Sequence, residues 1–447
     1  MLCRPFGAVG LRDMSLSPTN NRAAIEADQL RQLNALFEAV YSANRFYCRK
    51  LEDTGWLAVG LAHNGFASFD EFKEVVPFTT KQELVDDQSA HPPYGTNLTF
   101  PLGRYTRYSQ TSGTAGTPLR WLDTAESWDW MVRNWVHVYK AAGVTGADRV
   151  FFAFGFGPFI GFWLAFEAAQ RIGSLCIPGG GMSSTARLRA ILDNEATILC
   201  CTPTYALRLA EVAMQDGIDL QRARVKTLIV AGEAGGSIAS VRATISNAWN
   251  GARVFDHHGM TEVGPVTHEW PDRPGFLAVI ESGYIAEVID PKSGREVEAG
   301  ATGELVLTTS GRTGSPVIRY RTGDLAKKTY LRGGDGLDHL AFDGGILGRA
   351  DDMVIIRGVN IHPAAVEGIV RSFAEIAEYR VEVRSREALP ELFIAIEPSA
   401  SDVDGPQLAR KLEAALNAAF LLRIPVQAVS PGTLPRFEMK AKRWVRL

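Results

Sequence analysis

An α/β fold is predicted by three shifts in the apolar pattern of this 447-residue chain. Between about residues 124 and 245, helix-spaced stretches alternate with short apolar runs. After Glu281 the runs are divided by turns alone, and from Asp352 a short mixed unit begins. The pattern reads as a large N-terminal domain, residues 1–350, of βαβ layers plus a β-rich subdomain. A small C-terminal α+β domain, residues 351–447, follows it.

Each segment has its own reason. Ile25, Leu30, Leu33, Leu36, Phe37, Val40 and Tyr41, then Phe46 and Tyr47, recur at helical spacing with charges between them, as in helices packed by one face. The next helix-like stretches are residues 128–141, 162–172, 184–192 and 205–214. Between and after them come the runs 150–153, 174–177, 198–201 and 227–231, each ending near Gly, Pro or Thr. That alternation builds parallel sheets, with ligands at the carboxyl ends of the strands. Strands at 284–289 and 303–308, separated by Pro291-Lys292-Ser293-Gly294, mark the β-rich part. In the small unit, strands at 353–356, 379–383 and 392–397 alternate with helices at 363–373 and 406–419.

Composition narrows the class. The chain is 46% hydrophobic and 22% charged, with a net charge of -3, so no global basic field draws nucleic acid or an anionic membrane, and small molecules are the expected ligands. The five cysteines are scattered, without CxxC spacing or a Cys/His cluster, which predicts a reducing cytoplasm and no zinc site. Residues 1–20 lack the apolar core of a signal peptide, and no run reaches the roughly 20 residues of a membrane span. The oligomeric state is open, a homodimer included.

The stretch richest in chemistry is Tyr108-Ser109-Gln110-Thr111-Ser112-Gly113-Thr114-Ala115-Gly116-Thr117-Pro118. Glycines let backbone N–H groups approach an anion, and hydroxyls add donors, so Ser109, Thr111, Ser112, Gly113, Thr114, Gly116 and Thr117 form a candidate phosphate cradle. A P-loop would carry a lysine directly after its last glycine; here Thr117 and Pro118 stand there. The neutralising charge must come from elsewhere.

Four further segments follow in order: Asp256-His257-His258-Gly259-Met260-Thr261-Glu262, Tyr320-Arg321-Thr322-Gly323-Asp324, Gly348-Arg349-Ala350-Asp351-Asp352, and Glu438-Met439-Lys440-Ala441-Lys442. With the loop, they resemble the adenylate-forming superfamily of acyl-CoA synthetases, luciferases and peptide-synthetase adenylation domains. Gly311-Arg312-Thr313-Gly314-Ser315-Pro316 and Ile355-Ile356-Arg357-Gly358-Val359-Asn360-Ile361-His362-Pro363 resemble its phenylacetate-CoA ligase branch. The resemblance implies ATP-dependent conversion of a carboxylic acid to acyl-AMP, then to a thioester with coenzyme A. It also implies that Mg2+ is held by Glu262 and that Lys440 is the adenylation lysine, with Lys442 its rival. Asp324 would hold the ribose hydroxyls and Arg349 the ribose or phosphate. Asp351 would be the hinge of a mobile C-terminal domain.

Gly232, Glu233 and Ala234, at a strand end, would border the adenine together with Asp256, Thr261 and His258, the last standing where relatives carry a stacking tyrosine. His257 has two readings, positioning the carboxylate or facing the core. Phe154, Phe156 and Phe159, with Gly180 and Met260, form a candidate acid pocket that suits a small aromatic or branched acid better than a fatty chain. His268-Glu269-Trp270-Pro271 lacks the cysteine through which some relatives bind zinc. Two alternatives stand beside CoA ligation: transfer to a carrier-protein phosphopantetheine or an amine, and a catalytically silent acid- or nucleotide-binding module, which His258 and Met439 keep open.

Overall fold

The computed structural model describes residues 22–41, 43–52, 54, 65–111, 118–356, 359–386, 389–437 and 441–447. Its first helices form where a capping side chain precedes an apolar stripe. α1 (Ala23–Tyr41) buries Leu33, Leu36, Phe37 and Val40, and α2 (Arg45–Leu51) starts at Asn44, whose side chain accepts from the Tyr47 amide. α3 (Phe69–Val75) starts at Ser68, and α4 (Lys81–Ala90) at Thr80, which forms a capping box with Glu83. β1 (Tyr105–Gln110) and β2 (Arg120–Thr124) pair antiparallel, joined by the hydroxyl-rich loop. α5 (Ala125–Ala141), capped by Thr124, buries Trp128, Trp130 and Trp135.

The expected alternation then appears. In order come β3 (Arg149–Phe152), α6 (Ile160–Arg171), β4 (Leu175–Pro178), α7 (Ser184–Asp193), β5 (Ile198–Cys201), α8 (Pro203–Gln215), β6 (Thr227–Val230), α9 (Ala239–Ala248) and β7 (Arg253–Asp256). The strands make one sheet, ordered β4-β3-β5-β6-β7, with every neighbouring pair parallel. Both faces are covered, which is why the strands read as unbroken apolar runs. Phe152, Cys200 and Ile229 face one apolar cluster, while Phe151, Leu199 and Leu228 face the other. β3 and β5 are adjacent, yet their outgoing connections run to opposite sides of the sheet. Their carboxyl ends therefore flank the crevice where such sheets bind ligands.

Beyond β7, β8 (Gly259–Met260) and β9 (Gly264–Pro265) form a short hairpin. β10 (Thr267–Trp270), β11 (Arg273–Val279), β12 (Tyr284–Ile289), β13 (Thr302–Thr309), β14 (Tyr320–Arg332) and β15 (Asp338–Arg349) form an antiparallel sheet ordered β10-β11-β15-β14-β13-β12. In the small unit, β16 (Val354–Ile356) pairs with β17 (Val359–Ile361) and α10 (Pro363–Val370) follows. β18 (Ile376–Arg386), β19 (Leu389–Pro398), α11 (Gly405–Phe420), β20 (Val426–Ala428) and β21 (Trp444–Arg446) complete it around a separate core that includes Val366, Tyr379, Val381 and Leu412. Polar contacts seat this unit on the larger one. Ser240 Oγ donates to the Gly368 carbonyl (2.9 Å), and Arg436 Nε to Glu211 Oε1 (2.9 Å). Among the described residues, no helix is long and apolar enough to cross a membrane.

Candidate active site

The hairpin of β8 and β9 holds Thr261 and Glu262 at its tip. Arg312 builds the floor beneath them. Its side chain and that of Asp123 are fully buried, and two 2.7 Å bonds join them. Arg312 Nη1 also donates to the carbonyls of Thr261 and Glu262, at 2.8 Å each. A buried guanidinium with four of its five donors engaged fixes the tip, because few competing geometries remain. Glu262 is itself buried, with the Lys81 ammonium 3.6 Å from Oε1 and the Tyr320 hydroxyl donating to it at 3.5 Å. Burial, with Glu262 beside it, raises the Tyr320 phenol far above its ordinary value, so it stays a donor.

A second charged group lies along β14 and β15, where Asp324 stands opposite Arg349. Asp324 Oδ1 accepts from Arg349 Nη1 (3.4 Å), and Oδ2 lies 3.3 Å from His258 Nε2. His258 thus lies beside the carboxylate expected to bind ribose. Arg349 continues to Asp351, 2.9 Å from Nε, joining the sheet to the expected hinge. Gly323 has φ +75°, so the turn favours glycine, and a Cβ there would stand 2.7 Å from Arg349 Nη2 and displace the end of that side chain. Tyr320 donates to Glu262 in the first group and shares β14 with Asp324 of the second.

The hydroxyl-rich loop is clamped at its base. The Thr111 amide donates to the Leu119 carbonyl and the Leu119 amide to Thr111 Oγ1, both at 3.0 Å. The Gln110 amide donates to the Pro158 carbonyl (2.8 Å), tying the loop to the aromatic segment after β3. In that segment Phe154 stacks on Phe162 (4.0 Å between centroids) and lies 5.7 Å from Phe156, while Phe159 stands 6.0 Å from Phe162. Gly180 abuts Phe156: a Cβ there would lie 3.3 Å from the ring. Met260 packs half-buried against the same core. This aromatic wall stands at the carboxyl end of β3, in the crevice that the strand order marks. Ser112, Gly113, Thr114, Gly116, Thr117, Met439 and Lys440 lie outside the described residues.

Several residues expected at the nucleotide have partners within the protein. Ser109 is buried within β1, opposite Trp121, because strand alternation turns it inward. Asp256 Oδ2 accepts from Ser237 Oγ (2.6 Å), and burial pushes its carboxyl up to about 7. His257 packs its ring against Trp135 (4.4 Å), where burial lowers its pKa to about 4 and keeps it neutral. Glu233 uses both oxygens, Oε1 accepting from the Thr204 amide (2.8 Å) and Oε2 from the Ala441 amide (2.9 Å). Gly232, with φ +93°, and Ala234 flank it.

Lys81, Tyr320 and Arg312 are site residues that the sequence reading assigned no role. One signal for Lys81 existed: it opens α4, where the helix dipole disfavours a cation, so a partner outside the helix was implied. Among the described residues, no group of three or more His, Cys, Asp or Glu is arranged to hold a metal.

Residues 109–313 match the AMP-binding enzyme family, and residues 358–446 match the AMP-binding enzyme C-terminal domain. A phenylacetate-coenzyme A ligase of Aromatoleum evansii is 30% identical over 382 residues, 83% of each chain. The Escherichia coli phenylacetate-coenzyme A ligase is 29% identical over 442 residues, 94% of each. Among solved structures, 2-hydroxyisobutyryl-CoA ligase in the postadenylation state with 2-HIB-AMP superposes with a TM-score of 0.88 at 26% identity, covering 98% of this chain and 95% of that one. In its thioesterification state, with 2-HIB-AMP and CoA, the same ligase gives 0.70 over the same shares. Of these two states of one ligase, the present structure is the more like the postadenylation form.

Proposed function

The chain belongs to the adenylate-forming enzymes, in their phenylacetate-CoA ligase-like branch, and on that footing we propose that it joins a small aromatic carboxylic acid to AMP and then to coenzyme A. The observation that carries this reading is the joining of two charged groups by one strand, β14. Glu262, with Lys81 beside it, accepts from Tyr320, and Asp324, with Arg349 and His258 beside it, lies further along the same strand as Tyr320.

In the first half-reaction an acid oxygen bonds to the α-phosphorus of ATP, the bridging P–O bond breaks, and pyrophosphate leaves. Both reactants are anionic, so cations must offset their repulsion. Lys81 stands beside Glu262, and we assign Lys440 as the lysine delivered by the small domain. Asp324 offers two acceptor oxygens for the ribose hydroxyls, oriented by Arg349 and His258. Glu262 suits a Mg2+ that retains several waters and takes its other oxygens from phosphates, since such an ion needs only one or two protein carboxylates. When bound, the ion supplies charge neutralisation at the phosphates. In the second half-reaction the CoA sulfur bonds to the acyl carbon and AMP leaves with the former acid oxygen, while the thiol proton passes to solvent. Rotation of residues 351–447 about Asp351 would exchange the two steps.

The aromatic acid is supported by the Phe154–Phe162 stack and by the phenylacetate-CoA ligases that the chain resembles. A small branched acid is the second reading, favoured by the structural likeness to 2-hydroxyisobutyryl-CoA ligase. The test is pyrophosphate release with a panel of aryl, small branched and long-chain acids, with and without CoA. Aryl acids should give the highest kcat/KM and a CoA ester. No pyrophosphate with any acid would sink the reading; pyrophosphate without a CoA ester would point to a carrier protein or an amine.

A further inference from the structure

Glu233 sits in the loop after β6, where a nucleotide contact was expected, but its carboxylate bridges two other backbone groups. One is the Thr204 amide at the start of α8, an N–H left without a helical partner (2.8 Å). The other is the Ala441 amide, directly after Lys440 (2.9 Å). The same helix receives two more groups from the small domain. Arg443 Nη1 donates to Thr204 Oγ1 (3.3 Å), and Arg436 Nε to Glu211 Oε1 (2.9 Å). Arg436 and Arg443 are also paired within the small domain, with Glu397 and Glu378 respectively. Both can therefore leave α8 without becoming unpaired buried charges. The Ala441 amide has no such second partner among the described residues.

We propose that Glu233 is a positioning residue, not a nucleotide ligand: it latches the backbone beside Lys440 onto α8 and so defines the adenylating arrangement of the small domain. This rests on the assignment of Lys440 to adenylation. A carboxylate suits the role because it accepts from two N–H groups at once, whereas an amide of the same shape must turn a donor toward one of them. The latch holds by a hydrogen bond and not by apolar burial, so it can open when the second half-reaction requires rotation.

Two variants test it, Glu233→Gln and Glu211→Ala, each assayed in both half-reactions. In Glu233→Gln, kcat for pyrophosphate release should fall about tenfold, the expected effect of losing one charge-assisted hydrogen bond. KM for ATP and the rate of CoA ester formation from supplied acyl-AMP should stay unchanged. Glu211→Ala should act in the same direction but less, because Arg436 keeps Glu397. Hydrogen exchange of the segment 435–447 gives a readout free of catalysis and should speed up in Glu233→Gln. A raised KM for ATP at constant kcat would make Glu233 a nucleotide ligand, and equal losses in both half-reactions would make it only a cap of α8. Unaltered exchange would overturn the latch outright. Failure of the adenylation reading itself would show separately, as absence of pyrophosphate release by the unaltered protein.

Discussion

The floor of the site and the seat of the small domain are held by opposite means. Beneath Glu262, Arg312 is fully buried, paired by two bonds to a fully buried Asp123, and bonded to two carbonyls of the tip it supports. At the seat, single polar contacts join the domains: Ala441 to Glu233, Arg436 to Glu211, Ser240 to Gly368. The first arrangement has one geometry and no exchange partner; the second can be broken bond by bond. An enzyme that must keep its nucleotide fixed while it swaps its other wall is served by that division.

The comparison breaks most sharply at Arg312. Arg312→Ala leaves Asp123 charged and buried without a partner, which costs about 3–5 kcal/mol. Denaturant unfolding should show that loss, and both half-reactions should fall together, unlike any variant at the seat. Next in size is Gly323→Ala, which forces a Cβ against Arg349 and a side chain into positive φ. KM for ATP should rise about tenfold, as expected for roughly 1–2 kcal/mol of strain beside Asp324, the carboxylate proposed for the ribose.

Lys81→Ala should slow pyrophosphate release by about tenfold through loss of a charged contact, with little change in stability because the side chain is half exposed. Equal activity in Lys81→Ala would remove it from the site.

The smallest effect is a pH dependence at the carboxyl end of β7. Asp256, with its pKa raised to about 7, binds its proton more tightly in the folded state, so its contribution to stability falls as pH rises from about 4 to about 7. His257, lowered to about 4, does the reverse: the unfolded chain takes up the proton first, so stability rises with pH between about 4 and 6.5. The two slopes oppose one another. Asp256→Asn should leave a thermal midpoint that rises over this range, and His257→Gln one that falls; parallel curves for both would contradict these environments.

How much of this was legible in sequence follows from what each element shows to the solvent. β3, β5 and β6 are buried on both faces and read as plain apolar runs. β14 and β15 are long and mix buried with partly buried positions, with Lys327, Lys328, Gly344 and Gly345 interrupting any alternation, so the sequence carries no signal at that length. In the site, Glu262, Asp324 and Arg349 lie in recognisable motifs, and the structure sets Asp324 beside Arg349. Lys81 and Arg312 act through partners far away in sequence, Arg312 and Asp123 being 189 residues apart, and a single charge carries no mark of such a partner. Glu233 has partners that the sequence does not mark, the Thr204 and Ala441 amides, because a glycine-flanked acid at a strand end looks the same whether it meets a nucleotide or a returning chain.

In the proposed division of labour, the large domain holds the nucleotide while the adenylation lysine arrives with the small domain. The most direct measurement is the ratio of the two half-reactions in Lys440→Ala. Pyrophosphate release should fall by about a hundredfold or more, the scale of losing one preorganised charge in a transition state, while supplied acyl-AMP is still converted to the CoA ester at the unaltered rate. An unchanged ratio, whether both rates persist or both collapse, would contradict the account.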